Sequence, residues 1–308
     1  MNTETGDSVT ETPGVWPVVL TPFTETDEVD YAALAGYVDW LIDHGADGLF
    51  AVALSGEMYQ LDPAERVEVA RCVAQRAAGR VPVAASVVGG ERLGEIVAEA
   101  NDLAAAGVDI VVLIASAVLA PEDDEERIVA LAQALAADVP DVALGIYECP
   151  LPYHRVLSED VVAALARTER FVFFKETSHD VARMATRVAD AEGTPLRVFN
   201  AGIENYAESL QVGVAGLSGW VVNVAPDLVA RLGELAVAEG VTPRVQGLQQ
   251  LLVDIEQRMG PTYPGSAKAL VARRTGLGWS SRSRWREAQV DDALVRDLAD
   301  AIAREAAR

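Results

Sequence analysis

A lysine closes an apolar segment near the middle of this chain. The run RFVFFK ends at Lys175 and is followed directly by Glu176. Such a run is typical of a buried parallel strand, where an ammonium group has no structural use. Burial lowers the pKa of the amine, and a neutral amine can attack a carbonyl carbon to form a Schiff base. The run alone is equally compatible with a lysine that leaves the strand and reaches solvent.

Seven other short apolar runs alternate with longer amphipathic stretches, which predicts strands separated by helices. Asp62, Pro63 and Glu65 form a typical helix start. Eight such units favour a (β/α)8 TIM barrel over an open doubly wound sheet, and no Gly-x-Gly-x-x-Gly follows the first strand. The eight predicted strands are residues 15–20, 48–53, 83–87, 109–114, 142–147, 171–175, 197–200 and 214–218.

The same alternation suggests how the chain is divided. Residues 1–13 are polar, and we expect a disordered tail there. We expect residues 14–238 to form the catalytic barrel, and residues 239–308 to form a C-terminal helical extension packed on it.

Composition limits the function classes. The 308 residues carry a formal net charge of −22, which argues against nucleic acid or an anionic membrane as a partner. Only two cysteines are present, as expected in a reducing cytoplasm, and the three histidines form no cluster with metal-ligand spacing. No signal peptide and no apolar run of about 20 residues is recognisable. We therefore expect a cytoplasmic protein that acts on small molecules.

In a TIM barrel the active site lies at the carboxyl ends of the strands. Polar groups gather at these predicted ends, whereas the strands themselves are apolar. They are Ser55-Gly56-Glu57 after the second strand, Tyr147 and Lys175 at the ends of the fifth and sixth, Gly202 and Glu204 after the seventh, and Ser218 at the end of the eighth.

Five segments, in this order, resemble the dihydrodipicolinate synthase/N-acetylneuraminate lyase family of class I aldolases. Gly202, Ser218, Asn223 and Pro226 fit later landmarks of that family. The five segments are Thr21-Pro22-Phe23, Gly45-Ala46-Asp47-Gly48, Ser55-Gly56-Glu57, Tyr147 with Pro150, and Lys175-Glu176-Thr177-Ser178.

The resemblance implies a role for each of these groups. Lys175 would condense with the ketone of pyruvate or a related 2-keto acid, and Tyr147 would shuttle protons. Ser55, with the backbone N–H groups of Ser55 and Gly56, would hold the keto acid's carboxylate. No metal or organic cofactor is called for, because the lysine supplies the electron sink. The resemblance also implies a homotetramer, or a dimer of its tight pairs.

The chain departs from the synthase branch at three positions. Leu54 replaces a hydroxyl of a proton relay, residues 114–121 lack the tyrosine that would complete that relay from a neighbouring subunit, and Pro152 replaces a carboxylate-binding arginine. These losses argue against dihydrodipicolinate synthesis. Leu54 and Val118 suggest a less polar site with a bulkier or more apolar partner. Gly202 and Glu204 make a poor sugar clamp, although Glu204 keeps some polarity.

Several residues have a second interpretation. Tyr147 could be an ordinary strand-end aromatic, and Ser55 a simple N-cap. Glu57 is better explained as a structural hydrogen-bonding group than as a catalyst. Glu148 could be a second acid/base or a substrate ligand, but it could equally face solvent or pair with Arg155.

Taken together, these features predict a Schiff-base lyase that acts on a 2-keto acid and an aldehyde-like partner. The candidate catalytic residues are Lys175 and Tyr147. Two alternatives stay open: a hydro-lyase that dehydrates a deoxy-keto sugar acid through the same lysine, and a non-catalytic paralogue that only binds a keto acid. The candidate substrate-binding residues are Leu54, Ser55, Gly56, Gly202, Glu204 and Ser218.

Overall fold

Eight parallel strands form one sheet in the order β1-β8-β7-β6-β5-β4-β3-β2. The structure is a computed structural model that describes residues 12–90, 92–139 and 142–308. The strands are β1 (Gly14–Val15), β2 (Leu49–Phe50), β3 (Val83–Val87), β4 (Ile110–Ile114), β5 (Ala143–Tyr147), β6 (Phe171–Glu176), β7 (Arg197–Asn200) and β8 (Gly216–Leu217).

The sheet closes between its two ends. Val18 forms a parallel bridge with Phe50, and the Val19 N–H donates to the Phe50 carbonyl at 2.9 Å. This closure, with the helices that follow the strands, confirms the predicted (β/α)8 TIM barrel. The first predicted strand is reduced to a bridge beyond Val15, in part because Pro17 has no N–H to donate to a ladder.

Aromatic rings fill part of the barrel interior. The ring centroid of Phe173 lies 4.8 Å from that of Trp16, 4.9 Å from that of Phe199 and 5.6 Å from that of Phe50. A Cβ on Gly48 would lie 2.2 Å from the Trp16 ring, so only glycine fits there. The apolar runs of the sequence therefore form a packed core, and the polar groups remain at the strand ends.

Helices follow the strands around the barrel. Asp62 and Glu65 form a complete capping box, as the sequence predicts. The helices are α1 (Tyr31–Asp43), α2 (Pro63–Ala77), α3 (Leu93–Ala105), α4 (Ala115–Val118), α5 (Glu126–Asp138), α6 (Glu159–Ala166), α7 (Val181–Asp190), α8 (Tyr206–Leu210), α9 (Pro226–Glu239), α10 (Pro243–Met259), α11 (Gly265–Thr275) and α12 (Asp292–Ala306).

The last three helices, α10 to α12, occupy the segment predicted as a C-terminal extension. The division at residues 238 and 239 stays a prediction. Of the predicted tail, residues 1–11 lie outside the described residues, whereas Pro13 is buried. No helix of the described ranges is long and apolar enough to span a bilayer.

Candidate active site

Lys175 lies at the end of β6 with only 4% of its surface exposed. Its Nζ is 4.8 Å from the ring centroid of Tyr147 and 5.8 Å from that of Phe50. Nζ makes no hydrogen bond or ion pair with any of the described residues. Burial lowers the pKa of Lys175 to about 8, although the nearby Cys149 and Glu256 favour the charged form. The amine is therefore buried, unpaired and substantially easier to deprotonate than a surface lysine.

Tyr147 lies directly opposite Lys175 in the register of β5 and β6. Burial, followed by the neighbouring Cys149, raises the pKa of Tyr147 well above its usual value. The Cys149 thiol lies near the hydroxyls of Tyr147 and Tyr59. The Tyr59 hydroxyl in turn donates to the Leu151 carbonyl at 2.8 Å. The phenol beside Lys175 is thus protonated at neutral pH, and a second, partly exposed phenol lies near the same thiol.

Ser55 is buried in the short 3-10 helix Leu54–Gly56 that follows β2. Its side chain lies near the Tyr263 hydroxyl, which accepts a hydrogen bond from Asn223 Nδ2 at 2.9 Å. Tyr263 stacks on Trp220 with ring centroids 4.3 Å apart. Ser55 therefore lies beside a fixed aromatic residue of the loop between α10 and α11.

The prediction for the Gly56 N–H is wrong. This N–H donates to the Ala53 carbonyl at 3.0 Å, because the chain turns through a 3-10 helix, so it is not free for a carboxylate. Leu54, by contrast, is 7% exposed and contributes an apolar side chain beside Ser55. Of this turn, Ser55 remains the candidate donor to a substrate carboxylate.

The loops after β6 and β7 meet in an ion pair. His179 Nδ1 lies 2.5 Å from Glu204 Oε1, and this contact raises the pKa of His179. A Cβ on Gly202 would lie 2.5 Å from the imidazole and 2.6 Å from the carboxylate. The Gly202 N–H donates to Asn200 Oδ1 at 2.7 Å, so Gly202 makes room for the pair and has no free donor for a substrate.

Ser218 directly follows β8 and is fully buried. Its Oγ has no hydrogen-bond partner among the described residues. A buried hydroxyl without a partner loses free energy, so Ser218 is available to a ligand that could reach it.

Glu256 reaches the same region from α10. Its Oε2 accepts a hydrogen bond from the Val221 N–H at 2.9 Å. Burial raises the pKa of Glu256 to about 7, and Glu204 acts in the same direction, whereas His179 and Lys175 oppose the shift. The carboxylate is therefore close enough to Lys175, His179 and Glu204 to interact electrostatically with all three.

Glu148 belongs to a buried structural cluster. Its carboxylate accepts hydrogen bonds from Arg187 Nη2 at 2.8 Å, from the Leu157 N–H at 2.7 Å and from the Thr177 N–H at 3.0 Å. Arg187 also binds Glu176, and all three charged side chains are fully buried. Glu148 therefore neither faces solvent nor pairs with Arg155, because its partner is Arg187.

Arg155 is occupied elsewhere. Its guanidinium donates to the carbonyls of Ala120 and Asp123 at 2.9 and 2.7 Å, and Pro152 is exposed. The described structure therefore offers no arginine at the position where the synthase branch has a carboxylate clamp.

Glu57 has a structural role. It forms a fully buried ion pair with Lys268 of α11 and accepts hydrogen bonds from the Ser283 hydroxyl and from the N–H groups of Arg284 and Trp285 at 2.7–2.9 Å. Residues 280–286, which are rich in Ser and Arg, thus form a loop that is fastened to the barrel through Glu57.

The sequence found Lys175, Tyr147 and Ser55 because they stand at strand ends. It missed Tyr59, Tyr263 and Glu256. Tyr263 and Glu256 lie far along the chain, and helical periodicity gives no indication of which helix face meets the barrel mouth. Within the described residues, no group of three His, Cys, Asp or Glu side chains is placed to hold a metal ion.

The sequence matches the profile of the Dihydrodipicolinate synthetase family over residues 11–287. An uncharacterised DapA-like lyase of Halobacterium salinarum is 33% identical over 292 residues, covering 93% of either chain. A 4-hydroxy-tetrahydrodipicolinate synthase of Saccharophagus degradans is 28% identical over 80% of this chain and 82% of its own.

Solved structures share the fold. YagE, a prophage protein from E. coli K12 in complex with pyruvate, aligns with a TM-score of 0.82 and 23% identity, covering 95% of this chain and 98% of its own. CdNal from Clostridium difficile, in complex with mannosamine, aligns with a TM-score of 0.82 and 20% identity, covering 96% and 99%.

Proposed function

We propose that this chain, which belongs to the dihydrodipicolinate synthetase family, is a Schiff-base-forming lyase. It would make or break a carbon–carbon bond between pyruvate or a related 2-keto acid and an aldehyde-like partner. The observation that carries the proposal is the unpaired amine of Lys175, buried at a strand end against the ring of Tyr147. A structural role would require a counterion for this amine.

The reaction begins with the neutral amine of Lys175. The nitrogen attacks the ketone carbon to give a carbinolamine, and loss of water gives an imine that is protonated to the iminium ion. The iminium withdraws electrons from the neighbouring carbon, so a proton leaves that carbon and the resulting enamine attacks the aldehyde. Cleavage is the same sequence in reverse. The burial that lowers the pKa of Lys175 supplies the neutral amine.

Tyr147 would move the protons in these steps. Its hydroxyl is protonated at neutral pH and lies next to Lys175, so it can donate a proton to the departing oxygen and recover it later. The Cys149 thiol and the Tyr59 hydroxyl lie nearby, and they would carry this proton within one subunit. They would take the place of the relay that Leu54 and the tyrosine-free segment 114–121 do not provide.

Binding of the keto acid would rely on the region around Ser55. Its hydroxyl can donate to the carboxylate, and the Tyr263 hydroxyl lies nearby. The pyruvate bound to YagE is consistent with a small 2-keto acid here.

A lysine that acts as the electron sink needs no metal or organic cofactor. We also propose that the protein forms a homo-oligomer, a tetramer or a dimer.

Dihydrodipicolinate synthesis is not the reaction proposed. Pro152 stands in place of the carboxylate clamp, and Arg155 is bound to backbone carbonyls. The second substrate must therefore be recognised in another way.

The test is intact mass after borohydride reduction with pyruvate and a panel of 2-keto acids. We expect one adduct on the parent protein and none on Lys175→Ala, and proteolytic mapping should place it at Lys175. Lys268 provides the internal control, because it is also a buried lysine but is paired with Glu57. An adduct of equal yield on Lys175→Ala, or none with any keto acid, would overturn the proposal.

Product analysis separates the two reaction types. A lyase releases pyruvate and an aldehyde from the condensed substrate. A hydro-lyase acting through the same lysine would release water and leave the carbon chain intact.

A further inference from the structure

The side chains around Lys175 indicate which second substrate it can accept. Lys175 is the nucleophile in the proposed function, on which this inference rests, and its amine is consumed when the imine forms. In the enamine that attacks the aldehyde this nitrogen is neutral, so it carries no charge to hold a negative group of the partner. The charged groups that the loops after β6 and β7 and helix α10 bring to the same end of the barrel are the carboxylates of Glu204 and Glu256 and the imidazole of His179.

These three groups carry a net negative charge when ionised. Glu204 and His179 pair with each other at 2.5 Å, which leaves the charge of Glu256 without an ion-pair partner among the described residues. Arg155 and Arg187 do not compensate this charge, since Arg155 is bound to carbonyls and Arg187 is buried with Glu148 and Glu176. An anionic end of a substrate would therefore meet repulsion from the ionised form of Glu256.

The environment of Glu256 shows that it has spare acceptor capacity. Among the described residues, only the Val221 N–H donates to it, at 2.9 Å to Oε2. A carboxylate can accept about four hydrogen bonds. Val221 belongs to the turn after β8, so this contact places Glu256 at the same end of the barrel as the unpartnered amine of Lys175.

We propose that Glu256 binds the second substrate through a hydroxyl or ammonium group that donates a hydrogen bond to it, beside the Glu204–His179 pair. The partner is therefore a neutral or cationic aldehyde that carries hydrogen-bond donors. Aldehydes with a terminal carboxylate are rejected. This reverses the charge preference of a site with an arginine clamp, and it gives α10 of the C-terminal segment a direct role in specificity.

The partial protonation of Glu256 at neutral pH is consistent with this role. Burial raises its pKa to about 7, so an incoming ammonium group would favour the ionised form and an incoming hydroxyl could meet either form. The fixed contact with the Val221 N–H keeps the carboxylate in place in both cases.

The test uses four three-carbon aldehydes with pyruvate: glyceraldehyde, 3-aminopropanal, propanal and malonic semialdehyde. The readout is kcat/KM for consumption of each aldehyde. We expect the parent to use glyceraldehyde or 3-aminopropanal at least about tenfold better than malonic semialdehyde, as expected for a charge-assisted hydrogen bond against a like-charge contact. Whichever of these two aldehydes has the higher kcat/KM identifies the donor as a hydroxyl or an ammonium group.

The variant Glu256→Gln keeps an acceptor for the Val221 N–H and removes the charge. It should lower kcat/KM for the preferred aldehyde by about tenfold or more. The ratio of this kcat/KM to that for malonic semialdehyde should therefore become smaller. The borohydride adduct with pyruvate should be unchanged. Asp254→Asn is the matched control, because Asp254 is exposed on the same helix and binds Gln250.

Two outcomes would overturn the inference. One is a parent that prefers malonic semialdehyde or propanal, and the other is a Glu256→Gln variant with an unchanged order of aldehydes. If the parent forms no pyruvate adduct, the proposed function itself fails, and the mass measurement reveals this before any aldehyde is added.

Discussion

The chain contains two lysines, Lys175 and Lys268, and both are buried. Each Nζ lies over an aromatic ring, at 4.8 Å from the centroid of Tyr147 and at 4.3 Å from that of Phe23. Burial lowers the pKa of both amines. The two residues thus share burial, an aromatic neighbour and the direction of their pKa shift.

Their polar partners differ. Lys268 is ion-paired with Glu57 and donates to the Arg282 carbonyl at 2.7 Å. Lys175 has no such partner among the described residues, and the ring beneath it carries a hydroxyl. Burial alone therefore does not make a lysine reactive. An amine that is buried without a counterion is available for chemistry, whereas the paired one fastens α11 to the turn after β2.

Tyr147→Phe would place Lys175 over a ring without a hydroxyl, as Lys268 lies over Phe23. We expect kcat to fall by about 10²–10⁴-fold, because the proton-transfer steps lose their acid/base group. Imine formation with pyruvate, measured as borohydride adduct, should change far less. Tyr153→Phe is a control, since its hydroxyl donates to the Leu119 carbonyl in a neighbouring loop. Equal losses of adduct and kcat in Tyr147→Phe would mean that this residue only positions the substrate.

Lys268→Met tests the structural half of the comparison. It leaves the buried carboxylate of Glu57 without its counterion, so the free energy of unfolding should fall by about 3–5 kcal/mol. Urea denaturation gives the value. The double variant with Glu57→Gln should recover part of the loss, because no buried charge is then left unpaired. A loss below about 1 kcal/mol would show that the pair contributes little.

Lys175→Met should raise the free energy of unfolding, whereas Lys268→Met lowers it. The pKa of Lys175 falls from 10.5 to about 8 on folding, so below pH 8 the folded protein bears the full cost of the buried charge. Removing the amine should raise the free energy of unfolding at pH 7 by up to about 3 kcal/mol. The gain should shrink as pH rises from 8 towards 10.5, where the folded state already holds a neutral amine. Urea denaturation at pH 7 and pH 9.5 measures it, and a destabilised variant at pH 7 would contradict the assignment of Lys175 as an unpaired group.

The contrast between these lysines also shows what the sequence can predict. Lys175 follows an unbroken apolar run, and such a run implies a buried strand whose end meets the active site of a barrel. Tyr147 was predictable for the same reason. The alternation of strands and helices was sufficient for the fold, because parallel strands require crossover helices.

The partners of these residues were not predictable. Glu57 meets Lys268 across more than 200 residues of sequence, and Glu148, directly after β5, meets Arg187 of α7. Glu256 and Tyr263 reach the strand ends only because the segment after α9 folds back over them. A single sequence gives the spacing within a helix but not the neighbour that the helix faces.

The pH dependence of imine formation completes the comparison between the two lysines. Only the neutral amine attacks the ketone, and the pKa of Lys175 is about 8. The initial rate of adduct formation with pyruvate should therefore rise about tenfold per pH unit between pH 6 and 7, and level off above about pH 9. Samples taken at timed intervals and reduced with borohydride give this rate. A rate that continues to rise beyond pH 10 would indicate an ordinary exposed amine, and the contrast with Lys268 would then lose its chemical basis.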